Sequence, residues 1–412
     1  MTTVHDADAG AAIIYFTLLV GTFIWCRAAK DVRILPIAKR ITFRIDDIPI
    51  DRKDTIDNVL SELIRKDSNL VHWTRSPDIR SIVQSEPGLL CATVSIQTSL
   101  SPEGLTARLQ ESSRQFRYTH RFEGITPLYG SSVSAKVDIV AVPGLGSHPL
   151  GTFKSPDNDD VWLRDFLPQD IPDVRILLYG YDTTLPGSLS KQSLANLGRN
   201  LVERIIAFRE RDETYHRPIV FIGHSLGGLL IKEALIYAHR NRIASYQQFL
   251  HTCYGLCFFG VPHLGLRSFG LSTLVRGQPN EDFVRDLLVD NDNEPSAYLV
   301  RLAEQFSDCC SRRFRAVSFF EKMLSPTVER TQDGSWRRTG PLSLLVTEVS
   351  ATSVGLAAKS EEDNNPLNTD HSNLVKYHSR SDLNYELVIG RLHRLIDETM
   401  EEVAARSTQD SM

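Results

Sequence analysis

Ser225 stands in Gly223-His224-Ser225-Leu226-Gly227, a serine with a glycine two residues away on either side. A serine hydroxyl is a weak nucleophile until a neighbouring base takes its proton, so its setting decides whether it does chemistry. Glycines at these two places let a strand turn sharply into a helix and hold the serine strained and exposed, with its Oγ above a sheet. The N-terminus of that helix favours the negative charge that develops on an oxyanion during acyl transfer. The flanks supply both elements. Ile219, Val220, Phe221 and Ile222 are β-competent and follow Pro218 as a strand-entry residue, and Leu229, Leu230, Ala234, Leu235 and Ala238 mark one face of a helix. The segment reads as a nucleophile elbow.

Such a serine needs a histidine, and the histidine needs a carboxylate to fix its tautomer and stabilise the imidazolium. In a sheet with this elbow the chain order is serine, acid, histidine, with the histidine on a loop after the last strand. Of the twelve histidines, only His371, His378 and His393 follow Val349. His371, in Asn368-Thr-Asp-His-Ser-Asn373, is the expected base, while His378 and His393 fall in helical patterns that read as surface. Glu321 ends the apolar run Phe319-Phe320 and is the expected acid, ahead of Asp370, next to His371, and Glu348, within a strand pattern. The oxyanion donors expected are the backbone N–H groups of Leu226 and of Leu145, the latter between Gly144 and Gly146. His148, His224 and His263 lie near these loops and are read as packing or capping residues.

The elements that must position this constellation are apolar strands alternating with helical patterns, the signature of a parallel sheet with crossover helices. Strands are expected at Val137–Val142, Val174–Tyr179, the elbow strand, Gly255–Gly260, Phe314–Phe320 and Leu342–Val349. A long helix over Leu185–Arg209 precedes the elbow, a polar loop covers Lys359–Asn368, and an amphipathic helix over Asn384–Glu401 closes the sheet. A lid is expected within Leu266–Glu304. Six core strands with the serine after a middle one make an α/β-hydrolase sheet over residues 137–403, followed by a disordered tail at 404–412. Between residues 40 and 136 the order is strand, helix, strand, strand, helix, strand: Ile41–Ile48, Thr55–Arg65, Ile79–Gln84, Leu89–Thr98, Pro102–Glu111 and Phe116–Tyr129. That order predicts a small ferredoxin-like α+β module, read as an accessory domain open to protein partners.

Ala9–Cys26 is uncharged and close to the length a helix needs to cross a bilayer. Acidic Asp6 and Asp8 precede it, which does not suit a cleaved signal peptide, and Arg27, Lys30 and Arg33 follow. Residues 1–34 therefore read as a single-pass anchor with the rest of the chain on the cytosolic side, in an endoplasmic reticulum or mitochondrial membrane. Six cysteines in 412 residues, without metal-ligand spacing, read as reduced thiols. A net charge of −5 and the absence of basic runs with interleaved aromatics argue against nucleic acid. No metal and no organic cofactor are implied.

Val142-Pro-Gly-Leu-Gly-Ser, Trp162-Leu-Arg-Asp-Phe-Leu-Pro168, Leu178-Tyr-Gly-Tyr-Asp182, the elbow, Phe258-Phe-Gly-Val-Pro-His263 and Asp370-His-Ser-Asn373 together resemble the fungal branch of lipase-like serine esterases. These are relatives of the serine-active-site-containing protein family. The resemblance spans about residues 40 to 401 and implies Ser225, Glu321 and His371 as the triad. It implies a membrane-anchored hydrolase that cleaves an ester, of a lipid given the anchor, through an acyl-enzyme. The alternative is a catalytically degenerate hydrolase fold used for protein interaction or signalling. Pro143 departs from the pattern: lipases usually carry a histidine before the glycine, and proline lacks the side chain that braces this loop.

Overall fold

The computed structural model describes residues 39–66, 77–130, 133–310, 312–332, 335–356 and 363–410. The anchor expected over Ala9–Cys26 lies outside them. Among the described residues no helix is long and apolar enough to cross a membrane.

The first sheet comprises β1 (Lys39–Pro49), β2 (Asp78–Glu86), β3 (Leu89–Thr98) and β4 (Arg117–Thr119), with helices α1 (Ile56–Lys66) and α2 (Pro102–Ser112). Its order is β2-β3-β1-β4 with every pairing antiparallel, a ferredoxin-like arrangement. Strand alternation divides the side chains. Phe43, Ile45, Val94 and Ile96 share a core with Leu60 and Leu105 from the helices, while Arg44, Thr93 and Ser95, equally buried, belong to the polar set. Those polar groups meet the rest of the chain. Arg44 donates to Thr126 Oγ1 (2.6 Å) and Arg164 to Thr93 Oγ1 (3.4 Å), and Arg80 pairs with Asp160 (2.8 Å). Part of the face that this module would offer a partner is thus taken by the larger domain.

One strand was expected over Phe116–Tyr129, but the chain forms two. Phe122 and Gly124 adopt φ of 55° and 79°, which reverses the chain after β4, and β5 (Gly124–Tyr129) joins the second sheet. That sheet continues with β6 (Val137–Val142), β7 (Val174–Gly180), β8 (Ile219–His224), β9 (Cys253–Phe259), β10 (Arg315–Glu321) and β11 (Asn364–Leu367). The order is β11-β10-β9-β8-β6-β7-β5, parallel except for β5. This is an α/β-hydrolase sheet.

Among the described residues the helices of six or more residues in this domain are α3 (Leu194–Arg211), α4 (Leu226–Arg240), α5 (Ala244–Thr252), α6 (Phe269–Leu274), α7 (Glu281–Asp286), α8 (Ala297–Cys310) and α9 (Leu383–Asp410). Both faces of the sheet are covered, which is why β6 and β8 are buried at every residue and read as unbroken apolar runs. Val140 and Phe221 pack with α3, α4, α5 and α8, whereas Ile139, Val220 and Ile222 pack with α9 and residues 150–171.

Four further expectations are corrected. The helix before the elbow begins at Leu194 rather than Leu185, because Ser193 caps it by accepting from Asn196 N–H at 3.2 Å. Leu342–Val349 is not a strand of this sheet: Leu342–Ser343 pairs only with Ser325–Pro326, and Glu348–Thr352 is a short helix capped by Thr347. The outer strand is instead β11, inside the stretch expected to be a polar loop. As an edge strand it tolerates Pro366 exposed, and Asn365 and Leu367 point inward. The tail expected to be frayed continues α9 to Asp410, held by Arg406, which donates to the carbonyls of Cys253 (2.9 Å) and Arg313 (2.6 Å).

At the N-terminal end of β6 the wholly buried Asp138 accepts from Arg175 Nε and Nη2, both at 2.8 Å, and from Arg217 Nη1 at 3.0 Å, with Arg209 Nε at 3.3 Å. This cluster ties β6, β7 and α3 at the edge opposite the elbow. Burial alone would raise the Asp138 carboxyl, but the guanidiniums of Arg175, Arg209 and Arg217 outweigh it and hold the group below the ordinary carboxylate range.

Candidate functional site

Ser225 follows β8 and precedes the first residue of α4, with φ 52° and ψ −124°. Positive φ is costly for a residue with a Cβ, and the surroundings impose it. Ser225 N–H donates to the Phe259 carbonyl at 2.8 Å, pinning the turn to the end of β9. The motif glycines are required by space. A Cβ on Gly223 would lie 2.7 Å from Gly228 Cα, and one on Gly227 would lie 2.3 Å from the Val142 carbonyl oxygen. The elbow can therefore form only where the helix start passes directly against β6.

Glu321 ends β10, and His371 opens a short turn four residues after β11. Because Glu321 is in register with Leu367, and Met323 N–H donates to the Thr369 carbonyl at 3.1 Å, the two loops leave the sheet side by side. Glu321 is buried and uses both oxygens: Oε1 accepts from Val346 N–H (2.9 Å) and Oε2 from His371 Nδ1 (2.9 Å). His371 Nε2 lies 3.0 Å from Ser225 Oγ. With Nδ1–H donated to the carboxylate, Nε2 is left to accept the serine proton. The three residues named from the sequence are brought together.

Other expected residues fall elsewhere. Asp370 caps the turn of His371, accepting from Ser372 N–H at 2.9 Å, so its carboxylate is engaged with backbone rather than with the ring. Glu348 pairs with Lys322 at 2.7 Å on the surface. His378 is exposed beside Asp157, and His393 is exposed on α9 beside Asp397. His148 caps a helical turn, and the His263 ring lies 5.3 Å from Phe258. Cys253 and Cys257 are buried within β9. Among the described residues no group of His, Cys, Asp and Glu could hold a metal ion.

Leu226 opens α4, where backbone N–H groups have no intrahelical acceptor. Facing it is the loop after β6, which reaches the serine itself: a Cβ on Gly144 would lie 3.0 Å from Ser225 Cβ. That places Leu145 on the loop beside the nucleophile. Two further buried residues support this arrangement. The buried Tyr181 hydroxyl donates to the Pro143 carbonyl at 2.9 Å, which supplies from below the brace that proline cannot. His224, also buried, donates Nε2–H to the His371 carbonyl at 3.0 Å and so links the elbow to the base. Burial first, and the nearness of the His371 ring second, hold the His224 imidazole down to about 3, so it stays neutral. Tyr181 carried a faint signal, because it falls in the quoted stretch after β7. His224 carried one as the residue before the serine. Tyr181→Phe is expected to lower kcat by about 3- to 10-fold, the worth of one buried hydrogen bond, with KM little changed; steady-state kinetics on a soluble ester checks it.

Over this loop lies the region expected to act as a lid. Leu271, Leu274, Val275, Val284 and Leu288 form an apolar cluster against which Leu145, Leu185 and Leu266 pack.

Residues 161–279, which carry the elbow, match the family described as "Putative serine esterase (DUF676)". Protein SERAC1 of Homo sapiens is 23% identical over 318 residues, covering 72% of this chain and 45% of that protein. Protein SERAC1 of Danio rerio is 26% identical over 297 residues, covering 66% and 41%. The chain thus spans less than half the length of these relatives, which are vertebrate proteins and do not bear on a fungal origin. Among solved structures, a lipase-esterase related protein from Clostridium acetobutylicum matches with TM-score 0.36 at 12% identity, over 66% of this chain and 99% of its own. The mature lipase BlEst2 of Bacillus licheniformis matches with TM-score 0.39 at 14% identity, over 64% and 97%. Strand order and elbow give this chain an α/β-hydrolase fold, and the segment that carries the elbow is similar to a family of serine esterases.

Proposed function

We propose that this chain hydrolyses a carboxylic ester through an acyl-enzyme on Ser225. The observation that carries the reading is the continuous chain from Glu321 Oε2 through His371 to Ser225 Oγ, with steps of 2.9 and 3.0 Å, at a strained elbow. His371 Nε2 takes the serine proton as Oγ attacks the ester carbonyl. The N–H groups of Leu226 and Leu145 receive the oxyanion, and His371 returns the proton to the departing alcohol. Water then attacks the acyl-enzyme by the same route in reverse, releasing the acid. Glu321 holds the imidazole in the tautomer this requires and stays ionised throughout.

The full chain should cleave p-nitrophenyl butyrate, and Ser225→Ala should lower kcat by about 10⁴-fold or more. Equal rates for the two proteins would sink the proposal. The apolar segment at Ala9–Cys26 with basic residues after it supports a membrane tether, a hydrolase domain on the cytosolic side, and lipid esters as the substrate class. Protease added to intact endoplasmic reticulum or mitochondrial membranes should digest the hydrolase domain, and its protection would overturn this topology.

A further inference from the structure

A cleft of about 470 Å3 opens where the small α+β module meets the C-terminal end of the larger sheet. One wall belongs to the hydrolase domain and includes Gly146, Ser147 and Asp182; the other belongs to the module side and includes Glu103, Arg121 and Glu123. His148 pins the walls together. Its Nε2–H donates to the His120 carbonyl at 2.7 Å, its Nδ1 accepts from Gly151 N–H at 3.2 Å, and its ring meets Phe122 edge-on at 5.2 Å. His148 is three residues beyond Leu145, so the module buttresses the loop that reaches Ser225.

This loop separates two surfaces of opposite character. Leu185 lines the cleft and also packs in the apolar cluster that holds Leu145 under α6 and α7. On one side, then, lies a polar cleft, and on the other a greasy lid. An ester has the same two halves, a polar alcohol and an apolar acyl chain.

We infer that the cleft is the subsite for the alcohol half of the substrate and takes an uncharged polyol of the glycerol type, with the acyl chain running under α6 and α7. This rests on the ester-hydrolase reading above. Carboxylates are acceptors only, so Glu103, Glu123 and Asp182 accept from hydroxyl groups, while Arg121 donates to a hydroxyl oxygen. Three carboxylates against the guanidinium of Arg121 and the ring of His120, which pairs with Glu103 at 3.2 Å, disfavour a phosphate or carboxylate head group. The module is therefore part of the substrate site.

The test uses the full chain and the double variant Arg121→Ala with Glu123→Ala. These two exposed side chains lie 3.5 Å apart, so removing both strands no buried charge. Monobutyrin and ethyl butyrate share an acyl group and differ in the alcohol. The ratio of their kcat/KM values should fall about 10-fold in the variant, chiefly through KM for monobutyrin, as expected for two lost hydrogen bonds. An unchanged ratio overturns the subsite. Saturation-transfer NMR of 1-O-butylglycerol, an ether that cannot be cleaved, on the Ser225→Ala chain provides a readout without turnover. Binding that disappears on adding the two cleft substitutions supports the subsite even if neither ester is cleaved, in which case only the hydrolase reading falls. Cleavage of both esters with no binding of the ether refutes the subsite and leaves the hydrolase reading intact.

Discussion

Glu321→Gln is expected to lower kcat for ester hydrolysis by about 10⁴-fold while the protein stays folded. What matters is which atom carries which proton. Oε1 of Glu321 accepts from Val346 N–H at 2.9 Å, and Oε2 faces His371 Nδ1 at 2.9 Å. In the glutamine variant the amide oxygen keeps the bond to Val346, because an amide nitrogen there would set donor against donor. The NH2 group then faces Nδ1, which must become an acceptor, and the proton moves to Nε2. Nε2–H cannot take the proton of Ser225 Oγ, 3.0 Å away. Shape and volume are retained, so the melting temperature should move little. A fall in kcat below about 10-fold would mean that Glu321 does not fix the tautomer. His371→Ala, measured beside it, should lose at least as much.

The largest stability effect is expected far from the site, at Asp138. Its carboxylate is completely buried and serves three guanidiniums, of which Arg175 also pairs with Asp212. Asp138→Ala removes the buried counter-charge that faces Arg175 and Arg209, which costs on the order of 3–5 kcal/mol. Because the folded carboxyl is held below its unfolded value, its contribution is complete above the ordinary carboxylate range and is lost as pH falls through the lower, folded value. Urea titrations should therefore show a gap between parent and Asp138→Ala that is full near neutral pH and narrows only in strong acid. A gap under about 1 kcal/mol at neutral pH would show that the cluster is no net anchor of the sheet edge.

The parts of this molecule that could be read from residues alone share a local cause. The elbow was legible because β8 and α4 carry period and apolarity on either side of two glycines. Glu321 was legible because it terminates a buried strand, and His371 because chain order left three candidates, two of them on helical patterns. What escaped was set by partners distant in sequence. β11 is spelled Asn364-Asn-Pro-Leu367, which reads as loop until β10 offers it an edge to pair with. Tyr181 reaches Pro143 only because β6 and β7 run parallel with Ala141 opposite Leu178. The end of α9 looks frayed until Arg406 finds the carbonyls of Cys253 and Arg313. The division of Phe116–Tyr129 between two sheets hinges on Phe122, whose positive φ has no signature in its side chain.

Pro143 illustrates how a departure from a pattern is absorbed. The residue removes a side-chain brace but keeps a carbonyl, and the fold uses that carbonyl through Tyr181. The loop that carries Leu145 is held at Pro143 by a hydroxyl thirty-eight residues further along the chain.

Covalent trapping shows whether Ser225 is the nucleophile of an acyl-transfer site. The full chain is treated with a fluorophosphonate, digested, and mapped by mass spectrometry. A single adduct is expected on the peptide bearing Ser225, absent from Ser225→Ala and slowed in Glu321→Gln. An intact parent protein with no adduct, or one whose adduct persists in Ser225→Ala, would contradict it.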